Sequence, residues 1–349
     1  LLIGLTLTPW GSQAVIGTAN SLVDELTIDY ASGGMGSELH LSSVKWQQVG
    51  SQVDIYNLSV SIQLSCVWKL TVCIDSLSTD KTVVQIQPSN ASPKTEPAGA
   101  ALTLPIPVSI KNISLNKVSL KIKDTADIMW QKLTGKLDFY QRLRIENMQL
   151  HGFDLTTYAI QNSSLPTQEP FDWTSWQYQP VIPTPIVLPL HFDVLAFNLS
   201  EARLQLAGQE EIKLAKVSLK ASGSKKKVQL NELLVEHQQG RLIAKGNVQL
   251  NGQFEHVFSV DANALLEDKT PLKLTLRSSG NINSLTTKVE LIDTTLSTDP
   301  VPSNAKPLKL TMDFTAQPAK STLPVKMRLD WKQLQWPLVS ADFKSETGV

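Results

Sequence analysis

The sequence predicts an all-β protein: an elongated, curled repeat sheet that forms an open trough, a β-taco-like groove, with one short N-terminal helix. Three observations predict this fold class. Apolar and polar residues alternate with period two in nearly every segment from Leu39 onward, a strand-like pattern recurs within the chain, and helical periodicity is scarce. A period-two pattern gives each strand one apolar face, and repeated strands line those faces up into one long apolar surface.

The alternation is clearest in the second half of the chain. The segments that show it best are 248–250, 258–260, 272–276 and 308–312, together with Leu230. A short internal repeat is also present, since residues 271–276 and 307–312 are nearly identical. Each such segment predicts a strand with one apolar and one polar face.

Two longer segments repeat each other. Residues 104–122 and 188–206 align without a gap, both begin with Leu-Pro, and every apolar position of the first copy is apolar in the second. In the first copy the alternation slips after Ile110 and again after Leu115, which predicts a bulge and then a tight turn. Repeats of this kind predict an elongated array, because each unit buries its apolar face by pairing with its neighbours.

Helical spacing of apolar residues is confined to residues 13–26, which are predicted to form an amphipathic helix. They follow an apolar start, residues 1–8, that is shorter than the roughly 20 apolar residues needed to span a bilayer. This start is expected to be the trimmed end of a membrane anchor or of a signal peptide.

These patterns predict the organisation of the whole chain. The predicted parts are residues 1–25, the end of an anchor plus the amphipathic helix; 26–87, a first β unit with Cys66 and Cys73; 88–107, a Pro-rich loop; 108–164, a second β unit; 165–189, an insert rich in proline and aromatic residues; and 190–349, continuing trough repeats. The insert is expected either to lie as a short helix over an apolar surface or to fold back as a loop on its own core.

The charge balance argues against a nucleic-acid partner. Lys plus Arg and Asp plus Glu each number 32, so no positive excess exists to neutralise phosphates. The one basic run, Lys225 to Lys227, follows Gly223 between two alternating segments and predicts a solvated hairpin tip. Contact of this run with anionic lipid headgroups is the alternative.

The two cysteines, Cys66 and Cys73, are predicted to form a disulfide. A zinc site needs about four ligands, and the five histidines of the chain show no paired spacing that would supply the rest. On one extended strand the two sulfur atoms would lie about 20 Å apart, so a bridge requires the chain to turn between them. Two separate buried thiols are the alternative.

Catalytic motifs are missing from the sequence, which lacks a Gly-x-Ser-x-Gly elbow, a phosphate-binding glycine loop and a His-Glu-x-x-His pair. Ser114 and Lys117 match Ser-x-x-Lys, but the repeat has Asn198 and Glu201 there, so this pattern predicts a turn. The glycines from Gly33 to Gly36 predict a hairpin connection. The protein is predicted to be no enzyme and to hold no metal or cofactor.

Three stretches resemble the N-terminal part of the TamB family, the inner-membrane subunits of the bacterial translocation and assembly module. They are residues 26–33, residues 39–46 and the paired-cysteine stretch 64–77, in which Cys-x-Trp and Val-Cys-Ile carry the pattern. The strand repeats that follow are shared with AsmA-like and other bridge-like lipid-transfer proteins. The resemblance is close over about residues 20–80 and continues more loosely to about residue 300.

The resemblance implies a protein held in the bacterial inner membrane by a single N-terminal span and facing the periplasm. It also implies a β-trough that carries phospholipid toward the outer membrane along an apolar groove. Phospholipid is then the expected cargo. The expected partners are the inner membrane, through the anchor, and an outer-membrane barrel, through a C-terminal region of the family that lies outside these residues.

The predicted groove lining consists of apolar residues on the best alternating strands. These residues are Leu204, Leu206, Leu214, Leu219, Leu230, Val248, Leu250, Phe258, Val260, Leu272, Leu274 and Leu276. Core residues of a closed sandwich are the alternative for these positions. A second functional hypothesis is a scaffold that offers exposed sheet edges to unfolded outer-membrane strands, and a third is a purely structural tether of the envelope.

Overall fold

The computed structural model describes residues 7–87, 106–158, 178–180, 184–265, 271–294, 308–336 and 343–348. These residues form eighteen β-strands of one mixed sheet and one α-helix near the N-terminus. The predicted all-β class with a short N-terminal helix is confirmed. The chain divides into two units: unit 1 comprises Leu1–Ser164 and Pro189–Lys216, and unit 2 comprises Leu165–Leu188 and Val217–Val349.

Unit 1 contains the helix and the first nine strands. Its elements are α1 (Pro9–Leu22), β1 (Leu26–Gly33), β2 (Glu38–Gln48), β3 (Ser51–Ile62), a 3-10 turn (Leu64–Lys69), β4 (Val72–Thr79), β5 (Lys81–Ile86), β6 (Val108–Ile122), β7 (Ala126–Phe139), β8 (Arg142–Thr157) and β9 (His191–Gln205). The division between the units falls within the next strand, β10 (Ile212–Ser224).

Unit 2 is a meander of antiparallel strands. Its further strands are β11 (Lys227–His237), β12 (Gly240–Gln249), β13 (His256–Leu265), β14 (Pro271–Asn281), β15 (Ser284–Asp293), β16 (Lys309–Ala316), β17 (Val325–Trp336) and β18 (Phe343–Gly348). From β11 to β18 each strand pairs antiparallel with the next. The predicted basic hairpin tip is confirmed, since Lys225 and Lys226 form the turn between β10 and β11.

Helix α1 begins and ends four residues earlier than the predicted range, 13–26. Thr8 caps it by accepting a hydrogen bond from the Gly11 N–H at 3.2 Å, and Pro9 occupies its first turn, where no N–H is required. The predicted end is wrong because Leu26 already pairs with Trp46 in the sheet.

Unit 1 combines hairpins with two parallel steps. The β1, β2 and β3 strands are antiparallel neighbours, and so are β6, β7 and β8, whereas β4 and β5 lie parallel to β6, and β8 lies parallel to β9. A parallel pair needs a long connection that returns the chain to the starting end of the sheet. The predicted Pro-rich stretches, 88–107 and 165–189, lie in these two connections and fall largely outside the described residues.

The two predicted repeat copies form equivalent strands, β6 and β9, and each lies parallel to the strand before it. The predicted tight turn after Leu115 is wrong. Strand β6 continues to Ile122, and Lys117 adopts a φ of 47° within it. Strand β6 continues past Lys117 because the apolar positions of β7 shift by one residue at the same level of the sheet. Apolar residues therefore stay opposite each other, Leu115 facing Leu133 and Val118 facing Trp130.

The most deeply buried apolar cluster of unit 1 lies where α1 packs on the first strands. Ile16 of the helix contacts Leu39 and Leu41, and Ile28 and Val44 are among the partly buried residues around them. Most other close backbone approaches between the described elements join hydrogen-bonded strands.

Candidate functional site

The first candidate site is the apolar face of unit 1. Residues that stand opposite each other on paired strands point to the same face of a sheet, so the register identifies its members. One row across the strands consists of Val53, Val84, Leu120, Ile128, Leu155 and Leu204. Another row consists of Ile62, Ile74, Ile110, Leu137, Ile145 and Val194. The face is aliphatic from β3 to β9.

The opposite face of unit 1 is polar and carries ion pairs between neighbouring strands. The Lys111 ammonium lies 2.7 Å from the Asp75 carboxylate, and the Arg142 guanidinium lies 2.9 Å from the Asp193 carboxylate. Such exposed pairs contribute little stability. They show that this face is solvent-exposed, so unit 1 has one polar and one apolar face.

The second candidate site is the corresponding apolar face of unit 2. One of its rows consists of Leu233, Ala244, Val260, Leu276, Val289, Met312 and Leu329. The next row consists of Val235, Leu242, Ala262, Leu274, Leu291, Leu310 and Trp331. As in unit 1, the aliphatic positions stay in register from strand to strand.

Charged side chains occupy the other face of unit 2. Arg277 donates two hydrogen bonds to the Asp261 carboxylate, at 2.8 and 3.0 Å, and these bonds lower the pKa of Asp261. Arg328 likewise donates to Asp330 and lowers the pKa of that carboxyl group. Carboxylates that are held ionised by a neighbouring guanidinium mark this face as solvated.

The structure brings most of the predicted lining residues together on the unit 2 face. Those that the register or the continuing alternation places there are Leu230, Val248, Phe258, Val260, Leu272, Leu274 and Leu276. Leu250 follows the last residue of β12, where its N–H donates to the Lys226 carbonyl oxygen and its own carbonyl accepts from Ile186.

The remaining predicted lining residues lie elsewhere. Leu204 lies on the unit 1 face opposite Leu155, and Leu206 lies just beyond the end of β9. Leu214 and Leu219 lie in β10, five residues apart, and an unbroken strand turns such a pair to opposite faces.

Most side chains of the two apolar faces are half-buried. Leu274 and Leu276 are of this intermediate class, and Phe258 is exposed, whereas Leu272 and Leu250 are buried. The centre of a closed sandwich would bury nearly all of them. Within the residues that the structure describes, complete burial of a side chain is found at Ser12 and at no large apolar residue, which agrees with an open sheet.

A polar interruption in the unit 2 face was not predicted from the sequence. The His256 ring nitrogen Nε2 lies 3.1 Å from the Ser278 hydroxyl, to which the Thr287 hydroxyl donates at 3.1 Å. Ser278 and Thr287 stand opposite each other in the row that contains Phe258. A signal was present in the sequence, since Ser278 breaks the apolar series of 272–276 at the next even position.

The apolar face of unit 1 on β6, β7 and β8 was likewise not predicted from the sequence. Leu133 and Leu150, for example, stand opposite each other there but were not predicted as lining. The repeat could have revealed them. It shows the two points at which the alternation of apolar residues shifts by one position, and the neighbouring strands shift at the same two points.

Two hydroxyl, imidazole and carboxylate groupings lie on the polar face of unit 1. His40 lies 2.7 Å from the Ser59 hydroxyl, and His151 lies 3.0 Å from the Ser200 hydroxyl; Glu38 and Glu201, respectively, lie within 4 Å of these rings. Nucleophilic catalysis uses the same groups, but it requires a site that excludes water and donors aimed at an oxyanion. The two rings are nearly half-exposed and the two carboxylates are more than half-exposed, so water reaches both groupings.

The predicted disulfide is present. The Cα atoms of Cys66 and Cys73 lie 5.9 Å apart, because the 3-10 turn Leu64–Lys69 reverses the chain between β3 and β4. A bridge over so short a loop contributes about 2.5 kcal/mol by the chain-entropy estimate. The alternative of two separate thiols is wrong.

The predicted insert, 165–189, is described in part. The Tyr178 hydroxyl donates to the Pro318 carbonyl oxygen at 2.5 Å, and the Ile186 N–H donates to the Leu250 carbonyl oxygen at 2.9 Å. Both contacts lie within unit 2. The aromatic residues Trp173 and Trp176 of this insert lie outside the described residues.

The described part of the chain includes no helix with the length and apolarity that a membrane crossing requires. The predicted anchor at the start of the chain remains a prediction, since residues 1–6 fall outside the described ranges. Within those ranges no group of three or more metal-ligating side chains is assembled.

Comparison with known proteins gives the family. The family described as "TamB, N-terminal domain" matches residues 1–348. The chain belongs to this TamB N-terminal family. The resemblance inferred from the paired cysteines and the strand repeats is thereby confirmed.

The chain is also similar to a curated relative, the translocation and assembly module subunit TamB of Haemophilus influenzae. The two are 21% identical over 292 residues, an alignment that covers 77% of this chain and 21% of the relative. The chain therefore spans about a fifth of the length of that relative. No solved structure matches the chain.

Proposed function

We propose that this chain is a segment of a non-enzymatic lipid conduit in the bacterial cell envelope, and that its apolar faces carry the acyl chains of phospholipid between the inner and outer membranes. The conduit works within the translocation and assembly module, with a partner at the outer membrane and an anchor in the inner membrane. Phospholipid is its cargo, and no cofactor takes part.

The observation that carries this proposal is the one-sidedness of both units. In each unit a half-buried aliphatic face, with rows kept in register across the strands, lies behind a face of ion pairs. Each CH₂ group that leaves water contributes about 0.8 kcal/mol. An acyl chain laid along such a face removes its own methylene groups and those of the protein from water together.

Aliphatic walls also suit a cargo that must move. They offer contact without directional hydrogen bonds, so a chain can slide without breaking one site to reach the next. The polar cluster of His256, Ser278 and Thr287 is the exception in unit 2, and there hydroxyl and imidazole groups are able to meet a polar part of the cargo.

In-cell photocrosslinking tests the proposal directly. A photoreactive amino acid is placed at Leu274 on the apolar face of β14, and in a matched control at Lys273 on the opposite face of the same strand. A second pair, Leu150 and Gln149, samples unit 1. We expect covalent phospholipid at both leucines and none at their neighbours. Absence of lipid at the leucines, or equal lipid at all four positions, would contradict the conduit.

The scaffold hypothesis predicts a different working surface, the free backbone edge of the sheet. At β1 that edge is partly occupied, because the Asn20 side chain accepts a hydrogen bond from the Ile28 N–H at 2.8 Å and donates to the Ile28 carbonyl oxygen at 2.9 Å. An edge that is blocked in this way is poorly suited to receive a foreign strand. This argument applies to β1, and the one-sided apolar faces of both units make the conduit the function we favour.

A further inference from the structure

Several loops of unit 1 meet at one end of its sheet, which we call the near end. By register, β2, β4, β6 and β9 start there, while β1, β3 and β7 finish there. The near end therefore contains the β1–β2 turn, the loop with the 3-10 turn Leu64–Lys69, and the β7–β8 turn. Helix α1 begins at the same end, because the Gly36 N–H donates to the Leu7 carbonyl oxygen at 3.1 Å.

Large apolar side chains project from the near end into solvent. Trp68 is 92% exposed, Trp10 is 84% exposed and Leu70 is 78% exposed; Ile106 and Tyr140 are exposed as well. We call these five residues the rim. The opposite end of unit 1 also exposes apolar side chains, Leu22 and Val49 among them, but both tryptophans that are exposed within the described residues lie at the near end. Several large exposed apolar side chains on one end mark a surface that meets another apolar phase.

The rim is held in place by its supporting structure. The Cys66–Cys73 disulfide closes the loop that carries Trp68 and Leu70. Close backbone approach fixes the start of α1 against the β1–β2 turn, since a Cβ atom on Gly34 would lie 2.7 Å from the Leu7 carbonyl oxygen. Rigid presentation lowers the entropy cost of placing these side chains in a second phase.

The two ends of unit 1 differ in charge. At the opposite end, which we call the far end, the loops carry five acidic residues and one lysine: Asp24, Glu25, Asp124, Glu210, Glu211 and Lys123. At the near end the loop from 63 to 71 has one lysine and no acidic residue, and the turns 34–37 and 140–141 have no charged residue. An anionic lipid surface repels the far end and accepts the near end.

We propose that the rim is a docking surface for a lipid bilayer, with Trp68, Leu70, Trp10 and Tyr140 seated at the level of the headgroups. Tryptophan and tyrosine favour this level because each combines an apolar ring with a hydrogen-bonding group. Leu7, where the described part of the chain begins, lies at the same end. The rim thus sets unit 1 upright on the membrane, independently of whether its apolar face carries lipid.

Vesicle flotation tests this docking surface. The purified chain is mixed with vesicles of phosphatidylethanolamine and phosphatidylglycerol, and the double variant Trp68→Ser, Leu70→Asn is compared with the unchanged sequence. Both side chains are solvent-exposed, and asparagine tolerates the φ of 51° at Leu70, so the fold is retained. We expect partition into the vesicle fraction to fall about tenfold or more.

The matched control is Val49→Ser, which removes a fully exposed apolar side chain from the β2–β3 turn at the far end and is expected to leave partition unchanged. Equal flotation of the double variant and the unchanged chain would overturn the proposal and assign the rim to a protein partner. An equal loss with Val49→Ser would overturn it too, because binding would then follow general hydrophobicity. Lipid crosslinks at Leu274 report on the conduit separately.

Discussion

At the scale of single residues, the polar face of unit 2 depends on paired charges. The two hydrogen bonds from Arg277 hold the pKa of Asp261 below its ordinary value, so this carboxyl group favours the folded state when it is ionised. The stabilisation is fully present above the pKa of the unfolded chain, about 3.9, and is lost as the pH falls through the lower folded pKa. The Arg277 and Asp261 side chains are nearly half-exposed, so solvent screens much of this stabilisation.

We therefore expect Asp261→Asn to lower the free energy of unfolding at neutral pH by about 0.5 kcal/mol. At a pH below the folded pKa of Asp261 the variant and the unchanged protein should converge, because the carboxyl group is then protonated in both states. Urea unfolding of the two proteins at neutral and at acid pH measures this. A difference that grows on acidification would contradict the assigned direction of the pKa shift.

Two glycines of unit 1 are expected to respond to alanine in opposite directions. Gly33 has a φ of 87°, and a Cβ atom there would overlap the Glu38 carbonyl oxygen, so Gly33→Ala should destabilise the protein by about 2 kcal/mol or more. Gly17 lies inside α1, and an added methyl group there would meet no atom within 4 Å, so Gly17→Ala should stabilise the helix by up to about 1 kcal/mol. Denaturant unfolding gives both values, and the same sign for both would refute the argument.

At the scale of elements, α1 covers apolar surface on the first strands and also hydrogen-bonds to the outer backbone edge of β1. Its Ile16 packs on the apolar side of β2, while its Asn20 side chain supplies the donor and acceptor that a neighbouring strand would offer to Ile28. One helix thus shields apolar surface and satisfies a strand edge. A sheet edge left open would invite pairing with other chains.

Replacing Asn20 by alanine is expected to uncover that edge. The Ile28 amide should exchange its hydrogen faster, and the free energy of unfolding should fall by about 1 to 2 kcal/mol because both backbone groups lose their partner. Thr18→Ala is the matched control, since the Thr18 hydroxyl bonds only to the Ala14 carbonyl within the helix in the described contacts. Hydrogen exchange followed by mass spectrometry of the β1 peptide reads the result. Unchanged protection in Asn20→Ala would show that the edge is covered by other means.

At the scale of the whole molecule, the protein places its apolar residues on broad faces and not in a deep interior. Each unit presents an aliphatic face whose side chains are mostly half-buried. A globular chain of this length would place such residues at the centre of packed layers. Half-buried apolar side chains of this kind are expected where an apolar partner, such as lipid, removes the rest of their surface from water.

A charge placed within an apolar row should therefore disturb function more than stability. Leu274→Asp is expected to reduce the phospholipid that purifies with the chain about tenfold, because an ionised carboxylate in the row disfavours contact with acyl chains. Since Leu274 is already half-exposed, unfolding should change far less than for a buried leucine. Lys273→Asp, on the polar face of the same strand, should leave the bound lipid unchanged. Mass spectrometry of extracted lipid measures both, and equal loss in the two variants would argue against a lipid-bearing face.

The spacing of side chains along the chain was enough to predict strands with one apolar face, the equivalence of 104–122 and 188–206, and a bridge between Cys66 and Cys73 once the chain turns. These are local properties, so a linear pattern carries them. The pattern did not reveal which residues share a face where the alternation shifts by one position, as it does between Leu115 and Val118. Such a shift reverses the faces of all later side chains unless the neighbouring strand shifts with it, and only the paired strands show whether it does. Nor did it bring Trp10, Trp68 and Tyr140 to one end of unit 1, since strand pairing in three dimensions joins residues that are far apart in sequence.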